Sequence, residues 1–290
     1  MVGRHLPLSS RYRAVVVVGD SELRETLTLT ALTLLSLSIQ AADVEGGKAM
    51  GSTVCAACHG ANGVSVSSRI PHLAGQRAAY LVSQLEAFNA GSRKSALMSI
   101  IAKQLSPDER ANVAAYFAAQ SGAAPDAKSP LPAYIANSRV TLPPATKIGY
   151  RRYFVKDYPE NKQVALYFAN DAAIQAAAAG KALPDGSEIV AEVHSAKLDA
   201  AGSPVLGADG HFVPDQLQSL SGMAREVGWG KDIPAMLRND NWNYAVFNAD
   251  RTRRTDLNVT ECMVCHSTKK DSSFLFLYTE LAAAHLLRLH

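Results

Sequence analysis

The sequence predicts a multi-domain protein, a small all-α domain followed by an α+β domain built on a mainly antiparallel sheet. Three observations carry this expectation. Apolar residues recur at helical spacing between residues 77 and 119. A proline-rich stretch without period spans residues 121–144. Beyond it, short β-branched or alternating runs are separated by glycine-rich turns. A length of 290 residues is a soft prior for two domains, and 48% hydrophobic against 19% charged residues suffices to bury a core.

All four cysteines fall in two CxxCH motifs, Cys55-Ala56-Ala57-Cys58-His59 and Cys262-Met263-Val264-Cys265-His266. Two cysteines three apart can each form a thioether to one porphyrin vinyl group, and the histidine that follows then ligates the iron. This is the attachment signature of c-type haem, so two covalently attached haems are expected, with His59 and His266 as axial ligands. Disulfides or a zinc site are the alternatives. Zinc would draw both cysteine pairs together as four ligands and leave each following histidine a coincidence. Net charge is +3 before any cofactor, and the four carboxylates of two haems bring the whole close to neutral. With no basic, aromatic-interleaved stripe either, nucleic acid is excluded as a partner.

Residues 1–42 read as a cleaved signal peptide. Leu27 to Ile39 is an uncharged apolar run of 13 residues, too short to span a bilayer comfortably, and small residues follow it at Ala41 and Ala42. Asp20, Glu22 and Glu25 stand where positive charge is expected, which points to a translation start further downstream. Covalent haem attachment also implies export, so the expected location is the periplasm.

The first domain is expected over residues 43–122. A short helix from Asp43 to Met50 leads into the first motif, and a glycine-rich loop follows His59. A helix runs from Arg77 to Asn89, with Tyr80, Leu81, Leu85 and Phe88 on one face, and Gly91 closes it. Ser106-Pro107-Asp108-Glu109 is a helix start, and Val113, Ala114, Tyr116 and Phe117 face inward. Low-spin haem needs a sixth ligand. Met98, 39 residues after His59 and in a loop between helices, is the candidate, because a thioether suits electron-transfer haem and raises its potential. Met50 and His72 are rivals, and His72 is expected to hydrogen-bond locally instead. The stretches CAACHGANG, IPHLAGQRAAYLVSQLEAFNAGSR and IAKQLSPDERANVAAYFAAQ, with Met98, closely resemble small bacterial class I cytochromes c. That resemblance implies an all-helical fold, one His/Met haem and a role in electron transfer.

Residues 123–144 are expected to be an extended linker that lets the haems sit at variable distance or lies along one domain. The second haem domain, residues 145–290, carries its motif late. Only 24 residues follow His266, none of them methionine, so a sixth ligand must lie upstream. A four-helix cytochrome c′ shares the C-terminal motif, but the intervening sequence does not read as a bundle. Strands are expected at Val164–Phe168, Ile189–Val193 and Trp242–Phe247. A short helix capped by Asn170-Asp171 runs over Ala172–Ala179, and a turn falls at Pro184-Asp185-Gly186. The motif segment and Phe274–Leu289 are the helical remainder.

This order, with the residues Lys181 to Gly186, Asn241 to Phe247 and Cys262 to His266, resembles the cytochrome P-460 family and its relative cytochrome c′-beta. The resemblance implies a five-coordinate haem on His266 with an open distal face. One branch joins a lysine to the porphyrin and oxidises hydroxylamine; the other lacks the link and binds nitric oxide. The linking lysine is expected near Ser195, and Lys197 lies on the same strand face if the strand continues. Glu192, His194, Arg225, Glu226 and Asp240 are candidate distal groups; Phe212, Trp229 and Trp242 are expected in the core. A homodimer is also what the resemblance implies.

The leading expectation is a periplasmic di-haem cytochrome. Its second haem binds or converts a small nitrogen species, hydroxylamine or nitric oxide, and its first passes electrons to an external redox protein. The rivals are a pure electron carrier with both haems six-coordinate, drawing on His194, His211, Met223 or Met236, and a nitric oxide binder without turnover.

Overall fold

The computed structural model describes residues 42–136, 138–143 and 149–286; all but the last residue of the expected signal peptide lies outside them. The N-terminal part is all-helical. Asp43 caps α1 (Val44–Met50) by accepting the Gly46 N–H at 2.9 Å. The chain continues through a π-helical turn, Gly51–Cys55, into α2 (Ala56–His59), so the first CxxCH ends one continuous helical run. Next come α3 (Ala78–Ala90), closed by Gly91 at φ 78°, and the short α4 (Met98–Gln104). Then α5 (Pro107–Ala118) opens on a reciprocal cap. Ser106 Oγ accepts the Glu109 N–H at 3.2 Å, and Glu109 Oε2 accepts the Ser106 N–H at 2.7 Å. Helices α1 and α5 cross at Gly47, where a Cβ would lie 2.0 Å from the Asn112 carbonyl oxygen, so only glycine permits the approach. Val113, Ala114, Tyr116 and Phe117 face inward as their spacing predicts, whereas Tyr80 is 48% exposed. Met98 opens a helix instead of sitting in a loop.

The connector is not a free tether. It contains α6 (Ala133–Ala136) and buries Ile135 and Val140. The Ser129 N–H donates to the Ser65 carbonyl at 2.9 Å, and Tyr134 OH donates to that of Thr53. Ser138 OH donates to the Tyr244 carbonyl at 2.6 Å, and the Arg253 guanidinium reaches the Ser138 and Val140 carbonyls. The segment therefore lies along both halves of the chain, which corrects the expectation of a variable distance.

The C-terminal part is a five-stranded antiparallel meander in the order β1 (Tyr150–Tyr158), β2 (Gln163–Asn170), β3 (Glu188–Ala196), β4 (Pro214–Arg225) and β5 (Trp242–Asn248). Between β2 and β3 lies α7 (Asp171–Ala178), capped by Asn170 as predicted. After the sheet come α8 (Thr260–Ser267), which carries the second motif, and α9 (Tyr278–Ala283). Of the predicted helical stretch Phe274–Leu289, only α9 and the turn Ala284–Leu286 are helical among the described residues. Strand pairing puts Ala169, Ile189, Met223 and Tyr244 in one row of one face. Ile174 of α7, Met263 of α8 and Leu281 of α9 share a buried cluster with that row. The next row along, Tyr167, Ala191, Ser221 and Val246, is only partly covered, and Ser221 is exposed. On the other face, Leu220, Ala245 and Phe247 pack with Val140 of the connector.

Candidate haem sites

The two CxxCH segments are built alike. His59 Nδ1 lies 2.9 Å from the Pro71 carbonyl oxygen, and His266 Nδ1 lies 2.6 Å from that of Phe274. A carbonyl can only accept, so Nδ1 carries the proton in each ring and Nε2 keeps its lone pair for a metal. Burial lowers the basicity of both imidazoles, with the carbonyls pulling the other way; the neutral form that ligation requires is therefore favoured. The Phe274 carbonyl reaches its position through two residues at positive φ, Ser273 at 53° and Phe274 at 62°. That backbone strain sits beside the functional imidazole.

The N-terminal motif opens on a cavity of about 400 Å³. Cys55, Cys58 and His59 line it together with Met98, joined by Leu81 and Phe88. The structure thus brings all four N-terminal candidates to one space. His72 also reaches the cavity, but its Nδ1 accepts the Ser65 N–H at 2.8 Å, the local role expected of it. A second feature fits a bulky group here. Thr260 is buried, its hydroxyl has no partner among the described residues, and it lines this cavity. Burial pushes the Cys55 thiol up to about 12, helped by Cys58, and burial pushes Cys58 up to about 11. Among the described residues, no three His, Cys, Asp or Glu side chains converge as a metal cluster would. The residues lining this cavity, Cys55, Cys58, His59 and Met98 among them, therefore fit a covalently held haem.

At the second motif, Cys262 is half-buried with its thiol pushed by burial to about 11, and Cys265 is exposed. The His266 ring is flanked by Tyr244 at 5.2 Å and, edge-on, by Phe276 at 5.1 Å between centroids. Asn239, which the sequence reading did not single out, holds this arrangement. Its Nδ2 donates to Tyr244 OH at 2.8 Å and to the Met263 carbonyl at 2.9 Å. Phe276 is 47% exposed, and the partly covered row with Tyr167, Ala191 and Val246 lies next to the Tyr244 row. An imidazole nitrogen left for a metal, two thiols one turn before it and aromatic rings on either side fit a second haem.

The remaining candidates are placed elsewhere. Lys197 is exposed beyond the end of β3, its N–H donating to the Val213 carbonyl at 2.8 Å. It lies about 26 Å of extended chain from Ile189, at ~3.3 Å per residue, and Ile189 belongs to the row that touches His266. Glu192 and His194 pair at 3.3 Å on the opposite sheet face, and Arg225 is held by Asp185 at 3.0 Å. Glu226 and Asp240 are exposed. Trp242 is fully buried in the core, Trp229 packs against the Leu220 cluster, and the Phe212 N–H donates to Asp157. Of the alternative ligands, His211 pairs with Asp157 at 2.9 Å, while Met223 and Met236 belong to the core or its edge.

Fold and sites together define a c-type cytochrome. Residues 44–121 match the family Cytochrome c and residues 149–277 the family Cytochrome P460, so the chain joins a cytochrome c domain to a cytochrome P460 domain. Cytochrome c-554(548) of Halomonas halodenitrificans is 42% identical over 69 residues, 23% of this chain and 83% of that protein. Cytochrome c4 of Pseudomonas aeruginosa is 40% identical over 100 residues, 34% of this chain and 49% of that one. The thiosulfate dehydrogenase electron acceptor of Stutzerimonas stutzeri is 49% identical over 67 residues, 22% of this chain and 31% of that one. The chain thus spans about half or less of the length of several curated relatives it matches. Among solved structures, reduced recombinant cytochrome c4 from Pseudomonas stutzeri is 38% identical, covering 29% of this chain and 48% of that one with a TM-score of 0.27. Covalently bound c-type haem is the cofactor of the cytochrome c domain. No helix among the described residues is long and apolar enough to cross a membrane.

Proposed function

We propose that the protein is a periplasmic di-haem cytochrome that moves electrons between a small nitrogen species and an external redox protein. Haem iron supplies a one-electron couple and, where an axial position is open, a place for a small ligand. In the N-terminal domain, Cys55 and Cys58 hold one haem, with His59 and Met98 as its axial ligands. In the C-terminal domain, Cys262 and Cys265 hold the other, with His266 as its one protein ligand. Hydroxylamine or nitric oxide is the ligand this open site takes. The carrying observation is the contrast between the sites. Met98 and His59 line one cavity, whereas the ring neighbours of His266 are Tyr244 and Phe276, and no methionine or second histidine is among them.

The test is the absorption spectrum of purified holoprotein, oxidised and reduced, with and without nitric oxide. One low-spin haem plus one high-spin haem that shifts with nitric oxide is expected. Two low-spin haems indifferent to nitric oxide would reduce the protein to an electron carrier. A strongly red-shifted Soret component would mean a lysine-linked haem, with Lys197 as the candidate, and its loss in Lys197→Ala would identify it.

A further inference from the structure

The C-terminal motif helix is also a wall of the N-terminal cavity. Thr260, Glu261 and Val264 of α8 line it, together with Leu237. Val264 lies between Cys262 and Cys265, and it shares a buried cluster with Ala57, which lies between Cys55 and Cys58. One side chain fastens the two motifs. Asn258 Nδ2 donates to the Ala57 carbonyl at 2.6 Å and lies 3.5 Å from Cys58 Sγ, within reach of a weak hydrogen bond. Its Oδ1 accepts the Thr260 N–H, the first of α8, at 3.1 Å. At the edge of the same contact, Arg69 and Glu261 approach to 3.5 Å.

We propose that segment 258–264 is the electron bridge between the two haems, with Asn258 as its positioning residue. This rests on the two-haem reading above. One electron leaves the C-terminal iron, which goes from ferrous to ferric, and enters the N-terminal iron, which goes from ferric to ferrous. No proton or atom moves. The contact of α2 with α8 fixes the separation of the attachment segments, so the transfer is intramolecular. The Asn258 N–H beside the Cys58 sulfur places partial positive charge against the acceptor. It stabilises the reduced form and raises the potential of the N-terminal haem alone.

Asn258→Asp separates this role from a structural one. The carboxylate still accepts the Thr260 N–H but cannot donate to Ala57 or Cys58. The experiment uses holoprotein: haem count per chain, a redox titration resolving each haem, and optical relaxation after pulse reduction. In the unaltered protein, relaxation should be first-order and independent of protein concentration. In N258D the N-terminal potential should fall while the C-terminal one holds, the lost donation to Cys58 and the added negative charge together shifting the electron toward the C-terminal haem by about fivefold or more, and relaxation should slow. If N258D does not take up haem, Asn258→Ser keeps an accepting oxygen but is too short to reach Cys58, and it should give a shift in the same direction. Two haems with unchanged potentials and unchanged relaxation overturn the bridge and leave the two-haem reading standing, as does a concentration-dependent relaxation. A single haem per chain overturns both.

Discussion

Two residues beside the proposed haem sites, Met98 and Asn239, differ in how visible they are before folding. Met98 stands out in the sequence because a soft sulfur ligand is needed after His59 and few methionines are available. Replacing it with alanine should convert the N-terminal haem from six- to five-coordinate and lower its potential, leaving the C-terminal haem unchanged in the same redox titration. A shift in both haems, or in neither, would remove Met98 from this role. Asn239 is invisible by comparison, because Arg238-Asn239-Asp240-Asn241 reads as a polar turn. In the fold it is 1% exposed and ties the Tyr244 hydroxyl to the Met263 carbonyl, and so fixes α8 on the sheet. Burial raises the Tyr244 pKa, with the Asn239 bond pulling the other way, so the phenol stays neutral. Asn239→Leu removes both bonds and leaves the buried Tyr244 hydroxyl without its Asn239 partner, and it should cost about 1–3 kcal/mol. Denaturant unfolding of the holoprotein reads this directly, and a variant as stable as the parent would show that the pairing carries no net stability.

At the level of elements, local pattern was informative where pattern and burial agree. β2, β3, β5, α7 and α5 lie where alternation, caps and turns put them, with Asn170 and Ser106 at the predicted caps. β1 and β4 escaped because their alternation is broken. β1 mixes Arg151, Arg152, Lys156 and Asp157 with aromatics, and its register shifts between Arg152 and Phe154. β4 carries Ser219 and Ser221 on the partly covered face and Gly222 on the other, 3.1 Å (as a built Cβ) from the Val140 side chain. The turn at Asp185 shows how such elements are braced. Arg225 Nε donates to Asp185 at 3.0 Å, Asn241 donates at 3.1 Å, and the guanidinium lies over Trp242. Burial alone pushes the Asp185 carboxyl up, but the Arg225 and Asn241 hydrogen bonds outweigh it and hold it below the usual range. A depressed folded value means that the brace stabilises above the unfolded pKa of about 3.9 and is lost as pH falls through the lower folded value. Asp185→Asn should therefore cost about 1 kcal/mol at pH 7, and the gap between variant and parent should close below pH ~4. Melting curves across that range test it, and a gap independent of pH would assign the loss to packing. The cap of α5 gives a simpler case: Ser106→Ala should lower stability by about 1 kcal/mol without moving either haem potential.

For the whole molecule, what the sequence did not disclose is that its cytochrome c and cytochrome P460 domains share a core. Val54 and Ala57 of the N-terminal part, Ile135 of the connector, and Met263 and Val264 of α8 belong to one buried cluster. No local period records a contact between residues some 200 positions apart, and the proline-rich composition of the connector reads as a tether. The physical consequence is cooperativity. Exposing either half uncovers apolar surface of the other, so unfolding one half removes stability from both. The holoprotein should therefore unfold in a single calorimetric transition. Ala57 is 0% exposed and stands between the two cysteines of the first motif, so it can be changed without altering either thiol. Ala57→Arg inserts volume and charge into the shared cluster and should cost about 1–3 kcal/mol or more. The lost coupling should appear as a split into two transitions, the N-terminal domain melting on its own while each haem keeps its spectrum. A parent protein that already shows two transitions would mean that the shared cluster does not couple the domains. The slow intramolecular electron transfer expected of a loosened contact would then have to be sought in the Asn258 hydrogen bonds alone.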